Sequence, residues 1–313
     1  MKALIIGKGP VGLAAAAEFH LRDISYEFKS GRGIDPTFLC QLARTDLLVV
    51  AIDDNGDRGL AALQYALCGL ESGKIVVTPE KGALAYNFDL LRPFIIGHRF
   101  GFMTTVGGAS GMLSLVWPPR PEQILGIIGI INGTLNFLPW HIEKTGCGPY
   151  EAMKEAFRLN LADCRSDSLA EVVATEIRDS IMKAAIIWNL SGLGPVVSAD
   201  GFSYGVPSET EAERLLSTPG KRFVLNIQKS PRVGLPEPGF YLRVGQWNII
   251  GSFMPNADRA FRDRLPEGAA NRLVVNTISG WETRNGIGAG AGHTAKALVE
   301  EAEKLLVRGA AVR

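Results

Sequence analysis

Short apolar runs alternate with helical stretches over the first 110 residues of the chain. The pattern predicts a strand, a helix, a strand, a strand, a helix and a strand, in that order, over residues 3–6, 11–21, 25–28, 47–52, 60–72 and 75–78. Strands that are apolar throughout and separated by helices are typical of a parallel sheet covered on both faces. The N-terminal third is therefore predicted to be α/β, with a Rossmann-type doubly wound parallel sheet.

The rest of the chain has a different pattern. Two long helices are predicted over 149–160 and 168–190, and short strands separated by Gly and Pro turns run from 222 to about 275. This spacing is typical of an antiparallel sheet, so the second domain is predicted to be α+β. An amphipathic helix over 294–307 closes the pattern.

Composition and charge limit the classes of protein that the chain can belong to. Of the 313 residues 46% are hydrophobic, and 33 basic against 32 acidic side chains give a net charge of +1. This excludes bulk disorder and gives no reason to expect a nucleic-acid partner. Four cysteines without a CxxC spacing and four histidines predict no metal site and reduced thiols, as in a cytoplasmic protein.

Neither apolar stretch of note predicts a membrane partner. The N-terminal run is broken at once by glycines, unlike a signal peptide. Residues 124–142 carry no Asp, Glu, Lys or Arg, yet they include polar side chains, a proline and three glycines. That segment is too broken for a spanning helix, and we expect a buried strand, a tight loop and the start of a helix.

Glycine is frequent, with 36 residues, and one cluster follows the first predicted strand. Residues 7–12 read Gly-Lys-Gly-Pro-Val-Gly, the GxGxxG of a dinucleotide phosphate loop. Its glycines would permit the tight turn, the approach of a pyrophosphate and close helix–strand packing, and the helix N-terminus would offer free N–H groups. The predicted cofactor-binding residues are Gly7, Gly9, Pro10, Val11 and Gly12.

The end of the second strand should indicate which ribose the cofactor carries. Lys29, Ser30 and Arg32 stand there and would suit a 2′-phosphate, which predicts NADP. NAD stays possible because a shift of two residues would place Glu27 at this position. The alternative is that Lys29 and Arg32 are solvated loop charges.

Four further segments resemble one enzyme family. Residues 76–85 read VVTPEKGALA, 106–109 VGGA, 129–137 GIINGTLNF, and 288–292 GAGAG with Thr-Ala at 294–295. In this order they are similar to the VVTANKALLA, VGGG, GILNGTTNYIL and GxGAG…TA motifs of homoserine dehydrogenases. The GIINGTLNF segment is the most specific of these matches.

The resemblance implies a fold and an activity. It places a dinucleotide-binding domain at 1–115 plus 284–313 and a mixed-sheet substrate and dimerisation domain at 116–283. The implied reaction is the NAD(P)-dependent interconversion of L-aspartate 4-semialdehyde and L-homoserine, a step of threonine and methionine biosynthesis. The family is commonly dimeric, so a homodimer is expected.

The resemblance also assigns catalytic residues. Asp179 and Lys183 lie at i and i+4 of the predicted helix, hence on one face, and match the family's DxxxK. By this match Lys183 donates the proton to the carbonyl oxygen and Asp179 binds the amino or hydroxyl end of the substrate. Lys81 is implied near the nicotinamide and the substrate. Without the resemblance, Asp179 and Lys183 are more simply a surface ion pair, and Lys81 a loop lysine.

Other site residues follow from the same motifs. Substrate contacts are expected from Asp163, Asn132, Gly133 and Thr134, and cofactor contacts from Thr78, Lys81 and Gly288.

Two departures from the family pattern leave parts of this interpretation open. Asp163 replaces the usual glutamate and is one methylene shorter, so the exact substrate is open. Met103 stands where an acidic residue often lines a monovalent-cation site, and a thioether is a poor ligand for a hard cation. A dehydrogenase of a related semialdehyde or hydroxy amino acid, or a non-catalytic NADP-binding paralogue, remains an alternative.

Overall fold

The chain forms two compact units, which are described separately. The computed structural model describes residues 1–29, 33–53, 56–162, 164–230, 238–255, 261, 265–288 and 290–311. The first unit comprises Met1–Ala109 and Gly290–Arg313, and the second comprises Ser110–Ala289.

A five-stranded sheet organises the first unit. Its strands are β1 (Lys2–Ile6), β2 (Ser25–Phe28), β3 (Leu47–Val50), β4 (Ile75–Val77) and β5 (Phe100–Gly101), in the order β2-β1-β3-β4-β5. All four pairings are parallel, and the four residues of β3 are fully buried. The connecting helices are α1 (Pro10–Leu21), α2 (Pro36–Ala43), α3 (Leu60–Glu71), α4 (Gly82–Tyr86) and α5 (Phe88–Ile96). The predicted doubly wound parallel sheet is confirmed.

A seven-stranded sheet organises the second unit. Its strands are β6 (Ile124–Ile130), β7 (Ser203–Gly205), β8 (Arg222–Lys229), β9 (Gly239–Val244), β10 (Trp247–Met254), β11 (Ala270–Thr277) and β12 (Gly280–Ile287). They follow the order β12-β11-β6-β8-β10-β9-β7. The helices are α6 (Gly133–Thr145), α7 (Pro149–Arg158), α8 (Leu169–Ser191) and α9 (Glu209–Ser217).

The expected α+β organisation is confirmed. The expectation of a mixed sheet, with both parallel and antiparallel pairs, is not met among the described residues. Every described strand pair of this sheet is antiparallel. Tight turns join β9 to β10 and β11 to β12, and so short a connection can only reverse the chain direction.

The apolar segment at 124–142 folds as a strand followed by a helix. Strand β6 ends at Ile130, and the side chain of Asn132 then accepts the N–H of Leu135 and caps α6. Among the described residues, no helix is long and apolar enough to cross a membrane.

The last helix, α10 (Ala291–Ala311), belongs to the first unit. Its apolar face buries Ala295, Leu298, Val299 and Ala302 completely, in the same cluster as Phe19 of α1. The amphipathic pattern at 294–307 therefore marks the face that completes the core of the parallel sheet.

Candidate functional site

The glycines of the phosphate loop have separate structural reasons. Gly7 directly follows β1 with φ +102°, and a Cβ there would lie 2.0 Å from the carbonyl oxygen of Ala51, just after β3. A Cβ on Gly12 would lie 2.2 Å from the carbonyl oxygen of Gly7. A Cβ on Gly9 would meet no atom within 4 Å. The loop is therefore packed tightly at Gly7 and Gly12 and open at Gly9, as the approach of a pyrophosphate requires.

The open side of this loop is also the start of α1. Gly9 precedes the helix and has no side chain to cap it, while Pro10 occupies the first turn. The first N–H groups of a helix have no acceptor within the helix, so Val11 and Gly12 present theirs at the loop. The neighbours of β1 in the sheet are β2 and β3, and the crevice beyond such a reversal of strand order is where doubly wound sheets bind ligands.

Lys29 follows β2, as predicted, but its side chain is only 2% exposed. Its Nζ lies 3.7 Å from Oδ2 of Asp35 and 5.9 Å from the ring centroids of both Phe38 and Tyr65. Asp35 in turn caps α2 by accepting the N–H of Phe38 at 2.7 Å. Lys29 is thus not the solvated loop charge of the alternative interpretation. Arg32 and Ser30 lie outside the described residues.

The loop after β4 is held by two polar side chains. Thr78 donates its hydroxyl to the carbonyl of Val50 at 2.7 Å and accepts the N–H of Glu80 at 3.0 Å. The Glu80 carboxylate accepts the N–H of Ala83 at 2.9 Å and also that of Gly82, at the start of α4. Lys81 stands between Glu80 and Gly82 as the cap residue of α4. The Thr78 hydroxyl is therefore engaged with the protein, and the backbone at Lys81 is fixed on both sides.

Sequence reasoning did not single out Glu80. It replaces the Asn of the family's VVTANKALLA motif, and this difference was the available signal. Only 7% of the residue is exposed, so its carboxylate acts as a buried cap of the helix start, where the helix dipole favours negative charge.

In the second unit, α8 carries three charged residues on one face. Asp179 and Lys183 form an ion pair at 2.6 Å with side chains 7% and 13% exposed. The interpretation as a surface pair is therefore wrong. Glu176, one turn before Asp179, is 2% exposed and was not among the predicted site residues. Its i, i+3 spacing from Asp179 was the signal that could have found it.

Asn132 joins this face from the start of α6. Its Nδ2 donates to Oε2 of Glu176 at 2.7 Å and to Oδ2 of Asp179 at 2.9 Å. Its Oδ1 accepts the N–H of Leu135 at 2.8 Å. The structure thus brings three predicted residues into one cluster: Asn132 and Asp179, which are buried, and Lys183, which is 13% exposed.

The other predicted substrate contacts differ in their surroundings. Thr134 donates its hydroxyl to the carbonyl of Leu161 at 2.7 Å. A Cβ on Gly133 would stand 2.8 Å from the carbonyl oxygen of Ala269, so the absence of a side chain lets that backbone pass. Asp163 lies outside the described residues.

Gly288 packs on a buried amide. A Cβ at this position would lie 1.9 Å from Nδ2 of Asn271, whose side chain is fully buried. Close packing within the second unit therefore requires glycine here, whatever contact the residue makes with a cofactor.

The region of Met103 contains a buried carboxylate from α10. Glu301 accepts the N–H of Phe102 at 2.9 Å and that of Met103 at 3.1 Å. Burial raises the pKa of Glu301 to about 7. Across the described part of the chain, no group of three or more His, Cys, Asp or Glu side chains could hold a metal ion.

Comparisons with known proteins agree with the motifs, although no family model matches the chain. A homoserine dehydrogenase of Methanocaldococcus jannaschii is 30% identical over 138 residues, which cover 43% of this chain and 41% of that enzyme. The matched part thus spans less than half of this curated relative. The resemblance inferred from the motifs is confirmed over that part.

Solved structures extend the likeness to the whole chain at the level of the fold. The homoserine dehydrogenase of Thermoplasma acidophilum has a TM-score of 0.68 at 18% identity, covering 98% of this chain and 99% of that one. A hyperthermophilic archaeal homoserine dehydrogenase mutant in complex with NADPH has a TM-score of 0.66 at 17% identity, with 98% of both chains covered. The chain therefore has the fold of these enzymes.

Proposed function

We propose that this chain is a homoserine dehydrogenase that interconverts L-aspartate 4-semialdehyde and L-homoserine with a nicotinamide cofactor. The observation that carries the proposal is the 2.6 Å pair of Lys183 and Asp179 on α8, whose side chains are only 13% and 7% exposed. The family motif assigns this pair the chemistry at the carbonyl, and burial distinguishes it from an ordinary surface pair. The 30% identity over 138 residues and the shared fold support the same family.

The residues of the first unit fit a dinucleotide. The space beside Gly9 and the uncapped start of α1 suit a pyrophosphate. The nicotinamide, when bound, supplies or accepts the hydride. Lys183 then donates its proton to the carbonyl oxygen during reduction and accepts the hydroxyl proton during oxidation. Asp179 holds the Lys183 ammonium in place and receives the amino or hydroxyl end of the substrate.

NADP is proposed rather than NAD because two cations, Lys29 and Arg32, follow β2 in the sequence. The Lys29 side chain is 2% exposed and pairs with Asp35, so it must leave that pair to meet a 2′-phosphate. The NADPH complex of the archaeal enzyme is consistent with this choice. Asp35 is the competing feature, since a carboxylate at this place accepts a ribose hydroxyl of NAD. Asp35→Asn keeps a helix-capping side chain, and we expect it to raise the NADPH-over-NADH ratio of kcat/KM. Equal or better turnover of the parent with NADH contradicts the proposed preference.

The central test is NADP-dependent oxidation of homoserine, followed by absorbance at alkaline pH. Lys183→Ala is expected to lower kcat by about 100-fold or more, because removing a general acid–base group costs that much. Lys154→Ala removes an exposed lysine of α7 and serves as the matched control, with kcat within about twofold of the parent. A Lys183→Ala enzyme within a few-fold of the parent shows that the assigned mechanism is wrong.

A parent that oxidises no homoserine favours the alternatives. Turnover of a related semialdehyde or hydroxy amino acid identifies a different dehydrogenase. NADPH binding without any turnover identifies a non-catalytic paralogue. The binding roles of Asp163, Gly133, Thr134, Thr78 and Gly288 stay predictions of the motifs, and that of Arg32 stays a prediction from its place after the second strand.

The biological setting belongs to the same proposal. We infer a cytoplasmic homodimer that serves threonine and methionine biosynthesis, with cofactor bound by 1–115 plus 284–313 and substrate by 116–283. Light scattering of the purified protein tests the dimer. Restoration of growth without threonine and methionine, in cells that lack their own enzyme, tests the pathway.

A further inference from the structure

Asn132 connects the two carboxylates of α8 through a single amide nitrogen. Its Nδ2 lies 2.7 Å from Oε2 of Glu176 and 2.9 Å from Oδ2 of Asp179. All three residues are at most 5% exposed. A primary amide has two N–H groups, so both donors of Asn132 are directed at the protein and not at a ligand.

The opposite end of the same side chain is fixed by α6. Oδ1 of Asn132 accepts the N–H of Leu135 at 2.8 Å in the first turn of that helix. The position of the amide is therefore set by α6, whereas the carboxylates that it holds belong to α8. One side chain thus aligns the two helices at the level of Asp179.

Oδ2 of Asp179 receives two contacts. It accepts from Asn132 at 2.9 Å and pairs with Nζ of Lys183 at 2.6 Å. Two carboxylates one turn apart on a buried helix face repel each other, and a donor shared between them offsets that repulsion. A hydrogen bond to an ionised carboxylate is also stronger than one between neutral groups.

We propose that Asn132 is a positioning residue for the Lys183–Asp179 pair, and that Glu176 is the second anchor of its amide. This inference rests on the proposed function, since the pair is taken as the catalytic one. Asn132 holds Asp179 at the rotamer in which its Oδ2 meets Lys183. This positioning role replaces the sequence-based expectation that Asn132 contacts the substrate directly.

The two roles predict different kinetics. A residue that binds substrate and transition state equally changes KM, whereas one that orients the reacting groups changes kcat. Asn132→Asp separates these roles from helix capping, because Asp caps a helix as well as Asn does. This variant keeps an oxygen that accepts the N–H of Leu135. It replaces the donating amide nitrogen with the oxygen of a third carboxylate group.

The expected result for Asn132→Asp is a fall in kcat of about 30-fold or more with KM within about threefold. Adding Glu176→Gln exchanges the amide and the carboxylate between the two positions. The 132–176 pair is then restored with reversed polarity, but Asp179 still receives no donor from position 132, so kcat is expected to stay about 10-fold or more below the parent. If Asn132→Asp fails to fold, Asn132→Ser, which retains a capping oxygen but no amide, is expected to show the same loss of kcat.

Asn136→Asp is the matched control. Asn136 belongs to the same helix, is 1% exposed, and donates to the backbone carbonyls of Pro266, Gly268 and Ala270. This variant is expected to lower the unfolding temperature while kcat per folded enzyme stays near the parent value. An equal loss of kcat in Asn136→Asp overturns the proposal, because it shows that general loosening of α6 is sufficient.

Two other results also overturn the proposal. A raised KM with unchanged kcat in Asn132→Asp shows that Asn132 contacts the substrate. A double variant with the kcat of the parent shows that a donor at position 132 is not needed to position Asp179.

A measurement without substrate distinguishes this proposal from the proposed function. Acetylation of Lys183 by acetic anhydride at one fixed pH is quantified by mass spectrometry against the exposed Lys154. Faster labelling is expected in Asn132→Ser, which adds no charge, because Asp179 without the amide donor holds the ammonium of Lys183 less firmly. If the parent does not oxidise homoserine but the variants show this change in labelling, the proposed function is refuted and the positioning role is supported. Unchanged labelling in all variants refutes the positioning role.

Discussion

Replacing Gly9 and Gly12 by alanine is expected to have opposite effects on stability. At Gly9 the backbone has φ −71° and ψ 178°, which alanine adopts without strain, and the added methyl group meets no atom within 4 Å. At Gly12 the added methyl group would lie 2.2 Å from the carbonyl oxygen of Gly7. Gly9 is the cap residue of α1 and Gly12 lies three residues later in its first turn, yet only Gly12 is closed to a side chain.

The structure gives the size of each effect. Gly9→Ala reduces the freedom of the unfolded chain and is expected to raise the free energy of unfolding by about 0.4–1 kcal/mol. Gly12→Ala forces a contact of 2.2 Å to open to at least 3.4 Å, which moves α1 away from β1. Such overpacking is expected to lower the free energy of unfolding by about 1–3 kcal/mol.

The effect on cofactor binding does not follow stability. In Gly9→Ala the methyl group occupies the space through which a pyrophosphate approaches the backbone, so NADPH affinity is expected to fall by about tenfold or more, or ~1.4 kcal/mol. Urea unfolding followed by circular dichroism and NADPH titration by calorimetry measure the two quantities on the same preparations.

Gly148→Ala provides a matched control. Gly148 precedes a helix that begins with proline, has φ −76° and ψ 162°, and is open to a Cβ, as Gly9 is. It is expected to gain similar stability without any change in NADPH affinity. The reasoning is refuted if Gly9→Ala binds NADPH as tightly as the parent, or if Gly12→Ala unfolds at the same urea concentration as the parent.

Three further outcomes are expected. The raised pKa of Glu301, about 7, means that the folded protein binds the proton of this carboxyl group more tightly than the unfolded chain does. The resulting contribution to stability declines as pH rises from about 4.5 towards 7. Glu301→Gln should remove that decline from urea midpoints measured between about pH 5 and 8. Glu209 accepts hydrogen bonds from Tyr150, Ser168 and the first N–H groups of α8, which lower its pKa to about 2. The stability that this carboxylate provides above pH 4.5 is lost as pH falls towards 2. Glu209→Gln should lower the free energy of unfolding by roughly 1 kcal/mol at pH 7, measured by urea unfolding. Gly288→Ala should lower the melting temperature because its methyl group meets Nδ2 of Asn271; an unchanged temperature contradicts the close packing seen there.

Much of the fold was predictable because its signals are local. Strand β3 reads as an unbroken apolar run, and a strand buried on both faces needs no more than that. The GxGxxG loop was likewise predictable from the strand before it and the helix after it. Helices α2 and α9 were not predicted, since short amphipathic segments give weak patterns.

The candidate site was predictable only in part. The family motifs selected Lys183, Asp179 and Asn132, and the structure brings these three together. The motifs did not select Glu176, because an acidic residue on a helix is usually exposed and nothing local marks this one as buried.

Local sequence patterns were therefore sufficient for the principal strands, the long helices, the phosphate loop and most of the residues that can carry chemistry. Which charged groups are buried was decided by the tertiary structure. Lys29 lies beside Asp35 and within 5.9 Å of the ring centroids of Phe38 and Tyr65, and the carboxylate of Glu301 accepts the backbone N–H of Met103. Burial of a charge depends on partners that are distant in sequence, since only a packed neighbour can replace the water that the charge gives up.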